Sequence, residues 1–360
     1  MIIDCHNHVL GGGLSPGNDR FMRDLTVAYF QSQGLLPSER TPTEEDWAKM
    51  PFSITEPIDP DGLLEAHRPV GVDKCAVLAV APSDYTPYLQ RGTVDLTGVT
   101  GVPGEPRIDK ANDYMAGLES VYSEEMISIA AVNPRFRGPD AAVEELRRAA
   151  EDLNLRAVKL YPMYDLYAVN DRDIAFPIFA AARDLGISVM VHMGSTPAKE
   201  APLEWGKPML LDDAARAFPD LPILVAHVGF PWVDECLCLV GRHDNTYLDL
   251  SFFNSLISRR EQFDFLHRAR RYGCNWTRIC WGTDYPCFET PDTLLTKLTL
   301  VNDEANGEQP IPSNDLARMV GGNYARFLGM DWSLSETTDQ FEALDETWRQ
   351  IWKAKGPNLG

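Results

Sequence analysis

His6 and His8 stand two residues apart at the end of the first apolar run, in Asp4-Cys5-His6-Asn7-His8. On a strand, side chains at i and i+2 leave the same face of the pleat, so the two imidazoles can bind one divalent metal together. Asp4 has the same parity and is placed behind the pair as an acceptor for their ring N–H groups. Cys5 has the opposite parity and reads as a packing residue. An H-x-H pair alone says little, but later segments answer it. Ser188-Val189-Met190-Val191-His192, Ile223-Leu224-Val225-Ala226-His227, Thr246-Tyr247-Leu248-Asp249-Leu250 and Ile279-Cys280-Trp281-Gly282-Thr283-Asp284 each run apolar and reach a His or Asp at or near the end.

Groups so placed need strands that deliver them to one rim. Buried parallel strands read as continuous apolar runs, and in a barrel the chemistry stands at their carboxyl ends. Eight candidates follow one another: Met1 to His8, Lys74 to Val80, Met126 to Val132, Ala157 to Leu160, Ser188 to His192, Ile223 to His227, Thr246 to Leu250 and Ile279 to Gly282. The stretches between them carry helix punctuation. Pro139-Asp140 leads into Ala141 to Leu153, Asp173 opens a run that stops at Leu185-Gly186, and Arg259 to Tyr272 closes on Gly273.

Eight alternating units in 360 residues predict an α/β fold, a (βα)8 TIM barrel, over a doubly wound sheet. The barrel is expected over 1–330, with insertions at the carboxyl face at about 10–60, 81–107 and 194–208. A C-terminal helical extension over 331–360 carries Phe341, Leu344, Trp348, Ile351 and Trp352 along one stripe, which suits packing on the barrel flank.

Composition narrows the partners. With 44% apolar residues the chain can bury a large core, and 53 acidic against 33 basic residues give a net charge of −20. That charge repels nucleic acid and anionic membranes, so neither is an expected partner and a small-molecule substrate is. No apolar stretch approaches the roughly 20 residues of a membrane span, and a first strand starting at Met1 leaves no room for a signal peptide, so a cytoplasmic protein is expected. Seven cysteines without C-x-x-C spacing point to reduced thiols, not to a disulfide framework or a cysteine zinc site.

In such a barrel His6, His8, His192, His227 and Asp284 share one mouth. Three histidines and one aspartate with an open position suit a catalytic zinc, with manganese or iron as alternatives. Water on such an ion is acidified, and Asp284 and His227 are the candidates to take its proton. Lys159 and Tyr161 share a parity on the fourth strand. They, with His227, Asp212 and Asp213, are the groups on which a second metal would draw. Arg91, Arg107, Trp205, Lys207, Phe230 and Trp232 lie on the rim loops and, with Lys159, suit a carboxylated or aromatic substrate. His243 and His267 read as surface or capping residues, and His67 is given no role.

The sequence resembles the amidohydrolase superfamily, in the amidohydrolase-2 branch that includes aminocarboxymuconate semialdehyde decarboxylase. The resemblance runs from Met1 to about Gly329. It rests on D-x-H-x-H at Asp4, His6 and His8, Val158-Lys159-Leu160-Tyr161-Pro162, Val191-His192-Met193-Gly194, and Leu211-Asp212-Asp213 with Phe218-Pro219. It continues through Ala226-His227-Val228-Gly229, Gly282-Thr283-Asp284-Tyr285-Pro286 and Gly321-Gly322-Asn323.

The resemblance implies one metal held by His6, His8, His192 and Asp284, His227 as acid/base or transition-state stabiliser, and a homo-oligomer, commonly a dimer. Aromatic-acid decarboxylases of the branch often carry Glu in place of the first histidine and a Gly-rich stretch after the fourth; His6 and Val228-Gly229-Phe230-Pro231-Trp232 stand here. Dinuclear relatives use a carbamylated lysine where Lys159 stands. The expected activity is hydrolysis of a small carbonyl compound by metal-activated water. Non-oxidative decarboxylation of a small acid and dinuclear-iron oxygenation on the same scaffold are the alternatives.

Overall fold

Each apolar run forms a parallel strand. They are β1 (Ile3–Asn7), β2 (Lys74–Leu78), β3 (Met126–Ala131), β4 (Ala157–Leu160), β5 (Ser188–Val191), β6 (Ile223–Val225), β7 (Thr246–Asp249) and β8 (Ile279–Cys280). The computed structural model describes residues 1–9, 31, 36–43, 45–46, 59–79, 108–135, 138–196, 201–287 and 289–355. The expected insertion at 81–107 and most of that at 10–60 fall outside them, as do Arg91 and Arg107.

The strands pair in order from β1 to β8, every pair parallel. The chain beyond β8 closes the ring on β1, through Cys5 N–H to Trp281 O (3.2 Å), Asp284 N–H to His6 O (2.9 Å) and His8 N–H to Tyr285 O (2.8 Å). With helices between the strands this is the expected (βα)8 barrel. Similar local rules set the helices: Pro60–His67 starts with Asp59 capping Gly62 N–H and a proline in its first turn, and Arg259–Arg271 opens on a Ser258/Glu261 capping box.

Two apolar layers hold the ring. Ile3, Cys5, Leu78, Ile129, Ala157, Met190, Leu224, Tyr247 and Cys280 fill the interior, and Tyr324 and Phe327 belong to the same cluster. Alternate residues such as Val77, Val158, Val189 and Val225 pack outward against the helices. On the flank the helix Leu334–Lys355 presses Trp348 down, its indole N–H donating to Val70 O at 3.0 Å.

β1 is not a regular strand, and this corrects the expected place of Asp4. Asp4 pairs with Cys75 and Asn7 with Val77, so Cys5 and His6 together oppose Ala76 alone. Such a bulge puts an extra residue in one strand and re-aims the side chains beyond it. Cys5 enters the interior, His6 and His8 face the mouth, and Asp4 is left on the opposite side. There Asp4 accepts from His67 Nε2 (3.0 Å), Thr283 Oγ1 (2.6 Å) and the amides of His6 and Thr283 (3.1 Å each).

His67, given no role from sequence, is fully buried in this cluster. Its Nδ1 faces Leu63 O at 2.7 Å and its Nε2 faces the Asp4 carboxylate, so both ring nitrogens meet acceptors and both carry protons. Burial opposes that charge, but the Cys75 sulfur and the Asp4 carboxylate outweigh it and hold His67 well above the usual histidine range. His67→Ala would leave a buried carboxylate without its cation, which costs about 3–5 kcal/mol. Urea unfolding should show that loss, and an unchanged midpoint would refute the buried ion pair.

Candidate metal centre

His6 lies within β1 and His8 directly after it, while His192, His227 and Asp284 lie beyond the ends of β5, β6 and β8. β6 stops at Val225, two residues short of the expected His227, because His227 and Val228 turn into the left-handed region at φ 60° and 53°. Asp284 does the same at φ 63°. Left-handed backbone at a non-glycine residue costs on the order of 1–3 kcal/mol and persists only where the surroundings hold it. Here Asp249 Oδ1 accepts the His227 amide at 2.8 Å, and His6 O accepts that of Asp284 at 2.9 Å.

The ligand atoms of His6, His8 and Asp284 lie within 4.8 Å of one another, all buried. Asp284 Oδ1 is 3.5 Å from His6 Nε2 and 3.3 Å from His8 Nε2. Four ligands at metal bonds of about 2.1 Å are separated by roughly 3.4 Å along a tetrahedral edge, so these spacings fit one small cation. The imidazoles also present the correct atoms. His6 Nδ1 faces Asp249 Oδ2 at 3.0 Å and His8 Nδ1 faces Leu78 O at 3.3 Å, both acceptors, which leaves the two Nε2 atoms turned towards Asp284 Oδ1, where a cation would sit.

His192 is not among the three whose ligand atoms lie within 4.8 Å of one another; it meets His227, whose Nε2 is 3.1 Å from His192 Nδ1. His192 Nε2 is buried and has no hydrogen-bond partner among the described residues, which is how an imidazole awaiting a cation looks. A second trio, His6, His227 and Asp249, is equally close. Its contacts are hydrogen bonds: His6 Nδ1 lies on Asp249 Oδ2, and the Ser251 hydroxyl links His227 Nδ1 to Asp249 Oδ1.

Electrostatics favour neutral rings in this mouth. Burial pushes His192 down to about 3, with Lys159 adding to it, and pushes His6 and His227 well below the ordinary histidine range with help from neighbouring cationic groups. Burial raises Asp284, against the pull of His8 and Lys159. Lys159, fully buried, is lowered by desolvation to about 8 while Asp249 and Asp284 act to raise it. Its Nζ is 3.4 Å from His6 Nε2, and no carboxylate among the described residues lies within ion-pair distance.

The residues expected to hold a second ion are not all brought here, which corrects that expectation. Asp212 and Asp213 lie on the helix Asp212–Ala217, tied to Arg216, and Asp212 is 2.7 Å from His243 Nε2, just ahead of β7 at the amino side of the barrel. Both carboxylates therefore belong to a flank network. Tyr161 donates to Ala79 O at 2.8 Å and its ring stacks 6.4 Å from that of His192.

On the rim, the segment Leu203–Gly206 lies against the ends of β5 and β6. Gly194 N–H donates to Gly206 O at 2.8 Å and Ser195 N–H to Phe230 O at 2.8 Å. The approach is so close that a Cβ on Gly206 would meet Gly194 O at 2.2 Å, so only glycine fits. Phe230 sits 6.1 Å from Phe252, whose ring in turn meets His227 edge-on at 6.1 Å. Trp205, Lys207 and Trp232 are half-buried on these loops.

Two further residues bond to these histidines: Asp249, which the sequence marks as the aspartate of its seventh run without giving it a role, and Ser251, which it does not mark. Asp249 ends the Tyr247-Leu248-Asp249 run, and that position was its signal; Ser251 carries no signal beyond its place two residues later.

The sequence profile of the family described as amidohydrolase matches residues 3–330. Among curated proteins none matches the chain in sequence. Solved structures share the fold at low identity. An uncharacterised TIM-barrel protein from Bordetella bronchiseptica superposes with a TM-score of 0.62 at 19% identity, over 91% of this chain and 98% of that one. A 5-carboxyvanillate decarboxylase from Novosphingobium aromaticivorans, complexed with manganese and 4-hydroxy-3-methoxy-5-nitrobenzoic acid, gives 0.60 at 13% over 92% and 96%. A 4-oxalomesaconate hydratase from Rhodopseudomonas palustris gives 0.54 at 15% over 91% and 96%.

Proposed function

The chain belongs to the amidohydrolase family, in its amidohydrolase-2 branch, and is a metal-dependent enzyme; from that premise we propose that it hydrolyses a small carboxylated carbonyl compound. The observation that carries this reading is a mouth equipped to accept protons. His227 holds its Nδ1 at the Ser251 hydroxyl and carbonyl and turns Nε2 to His192 Nδ1 at 3.1 Å, and Asp284 Oδ1 stands 3.5 and 3.3 Å from the Nε2 atoms of His6 and His8. Attack by water needs such a base, whereas decarboxylation needs a donor that protonates carbon.

In this proposal His6, His8, His192 and Asp284 hold the ion. Three imidazoles and one carboxylate suit zinc, with manganese and iron as alternatives. Bound there, the ion supplies positive charge that polarises a substrate oxygen and acidifies water. Asp284 takes the proton of the attacking water. His227 receives that proton from Asp284 at Nε2, giving up the hydrogen bond from His192 Nδ1, and delivers it to the leaving group. Lys159, an ammonium with no carboxylate at ion-pair distance among the described residues, binds the substrate carboxylate, and that anion offsets the ion's tendency to discharge it. Phe230 and Phe252 wall the His227 side with apolar surface.

Decarboxylation stays the second reading, because the manganese-bound structure that shares this fold is a carboxyvanillate decarboxylase. The two are separated by loading the protein with zinc or manganese and screening carboxylated lactones, amides and aromatic acids in ¹⁸O-labelled water. The proposal expects ¹⁸O in the product acid and no carbon dioxide. Carbon dioxide without ¹⁸O would establish decarboxylation instead, and consumption of dioxygen by iron-loaded protein would point to the oxygenase alternative.

A further inference from the structure

We propose that Ser251 is a positioning residue that sets the proton order of the whole mouth: its hydroxyl, anchored on Asp249, fixes which nitrogen of His227, and through it of His192, carries hydrogen. The inference rests on the metal-centre reading above and adds to it a residue outside the ligand set.

Proton counting carries it. Asp249 is an acceptor, and both its oxygens are used. Oδ2 faces His6 Nδ1 at 3.0 Å, while Oδ1 takes the His227 amide at 2.8 Å, the Ser251 amide at 3.1 Å and the Ser251 hydroxyl at 2.5 Å. A serine hydroxyl has one hydrogen, and here it goes to Asp249. Towards His227 Nδ1, 2.9 Å away, Ser251 Oγ can therefore only accept. The other neighbour of that nitrogen, Ser251 O at 3.4 Å, also only accepts.

His227 Nδ1 must then carry the hydrogen, which leaves Nε2 bare. Nε2 lies 3.1 Å from His192 Nδ1, so His192 Nδ1 is the donor in that pair. His192 Nε2 is left with its lone pair, and this is the buried atom without a partner among the described residues. One hydroxyl thus prepares a base at His227 and a metal ligand at His192. Two rings hydrogen-bonded to each other would otherwise be free to run the chain in reverse, with hydrogen on both Nε2 atoms. That order would close the ligand position of His192 and remove the base.

The test is ¹⁵N NMR of histidine-labelled protein, metal-free and at neutral pH, with zinc affinity measured alongside by competition with a chelator. The wild type should show His227 and His192 as Nδ1–H tautomers. Ser251→Ala should shift both towards Nε2–H and weaken zinc binding by about 10–100-fold, as is typical when a group that orients a ligand is lost. Ser251→Thr, which restores a hydroxyl, should recover both signatures. A wild-type spectrum with hydrogen on His227 Nε2 would overturn the proposal whether or not any variant folds, and so would Ser251→Ala with unchanged tautomers. Wild-type protein that binds no divalent ion would defeat the metal-centre reading instead, while the metal-free spectra would still decide this one.

Discussion

Asp284→Asn is expected to lower kcat by about 10³-fold or more, equivalent to roughly 4 kcal/mol on the barrier, with the fold retained. Asparagine has nearly the same shape, so no cavity opens. It cannot take a proton, and it removes the anionic member of the ligand set, whose Oδ1 lies 3.3 and 3.5 Å from the two histidine Nε2 atoms. Stability should not suffer in the metal-free protein. Burial disfavours the charged Asp284 carboxylate, and the neutral amide escapes that cost. Turnover on whichever substrate the ¹⁸O screen identifies, measured beside the thermal midpoint, checks both halves. A variant that keeps full turnover would remove Asp284 from the chemistry.

The second large effect is on the metal. His8→Ala deletes one proposed ligand, whose Nδ1 meets Leu78 O at 3.3 Å while its Nε2 is turned towards Asp284. Losing a group that merely orients a ligand costs about 10–100-fold in affinity, so deleting the ligand itself should exceed about 100-fold. After dialysis against a chelator of moderate strength, the wild type should retain about one ion per chain and the variant close to none. Circular dichroism guards against simple unfolding. Equal metal content in the two proteins would place the ion elsewhere.

The parts of this architecture that were legible in the sequence owe their legibility to periodicity. Parallel strands buried on both faces must be continuous apolar runs, so the eight strands stood out, and each was misjudged only at its ends. His192 and His227 were expected inside β5 and β6 but lie beyond them, since a group aimed into a barrel mouth sits where the strand is turning into a loop. The convergence of His6, His8 and Asp284 was legible too, because strand-end residues of a closed barrel have only one rim to share.

The hidden parts depend on local irregularity and distant partners. The bulge at Cys5 and His6 is invisible to a parity argument, and it moved Asp4 from behind the rings to His67. Its place behind His6 is taken by Asp249, across the barrel. A capping aspartate and a metal-bridging one look alike in sequence; only the contacts with Arg216 and His243 assign Asp212 and Asp213 to the flank. The chain's −20 charge excluded nucleic acid as an expected partner but could not show that a lone ammonium, Lys159, would be buried beside the ligands. Among the described residues no helix is long and apolar enough to cross a membrane.

The proposed chemistry requires that four side chains from three parts of the barrel wall share one cation. Anomalous scattering from crystals grown with manganese measures this directly. A single strong peak is expected about 2.1 Å from each of His6 Nε2, His8 Nε2, His192 Nε2 and the Asp284 carboxylate. A map with no peak there, or with the ion bound by other residues, would contradict it.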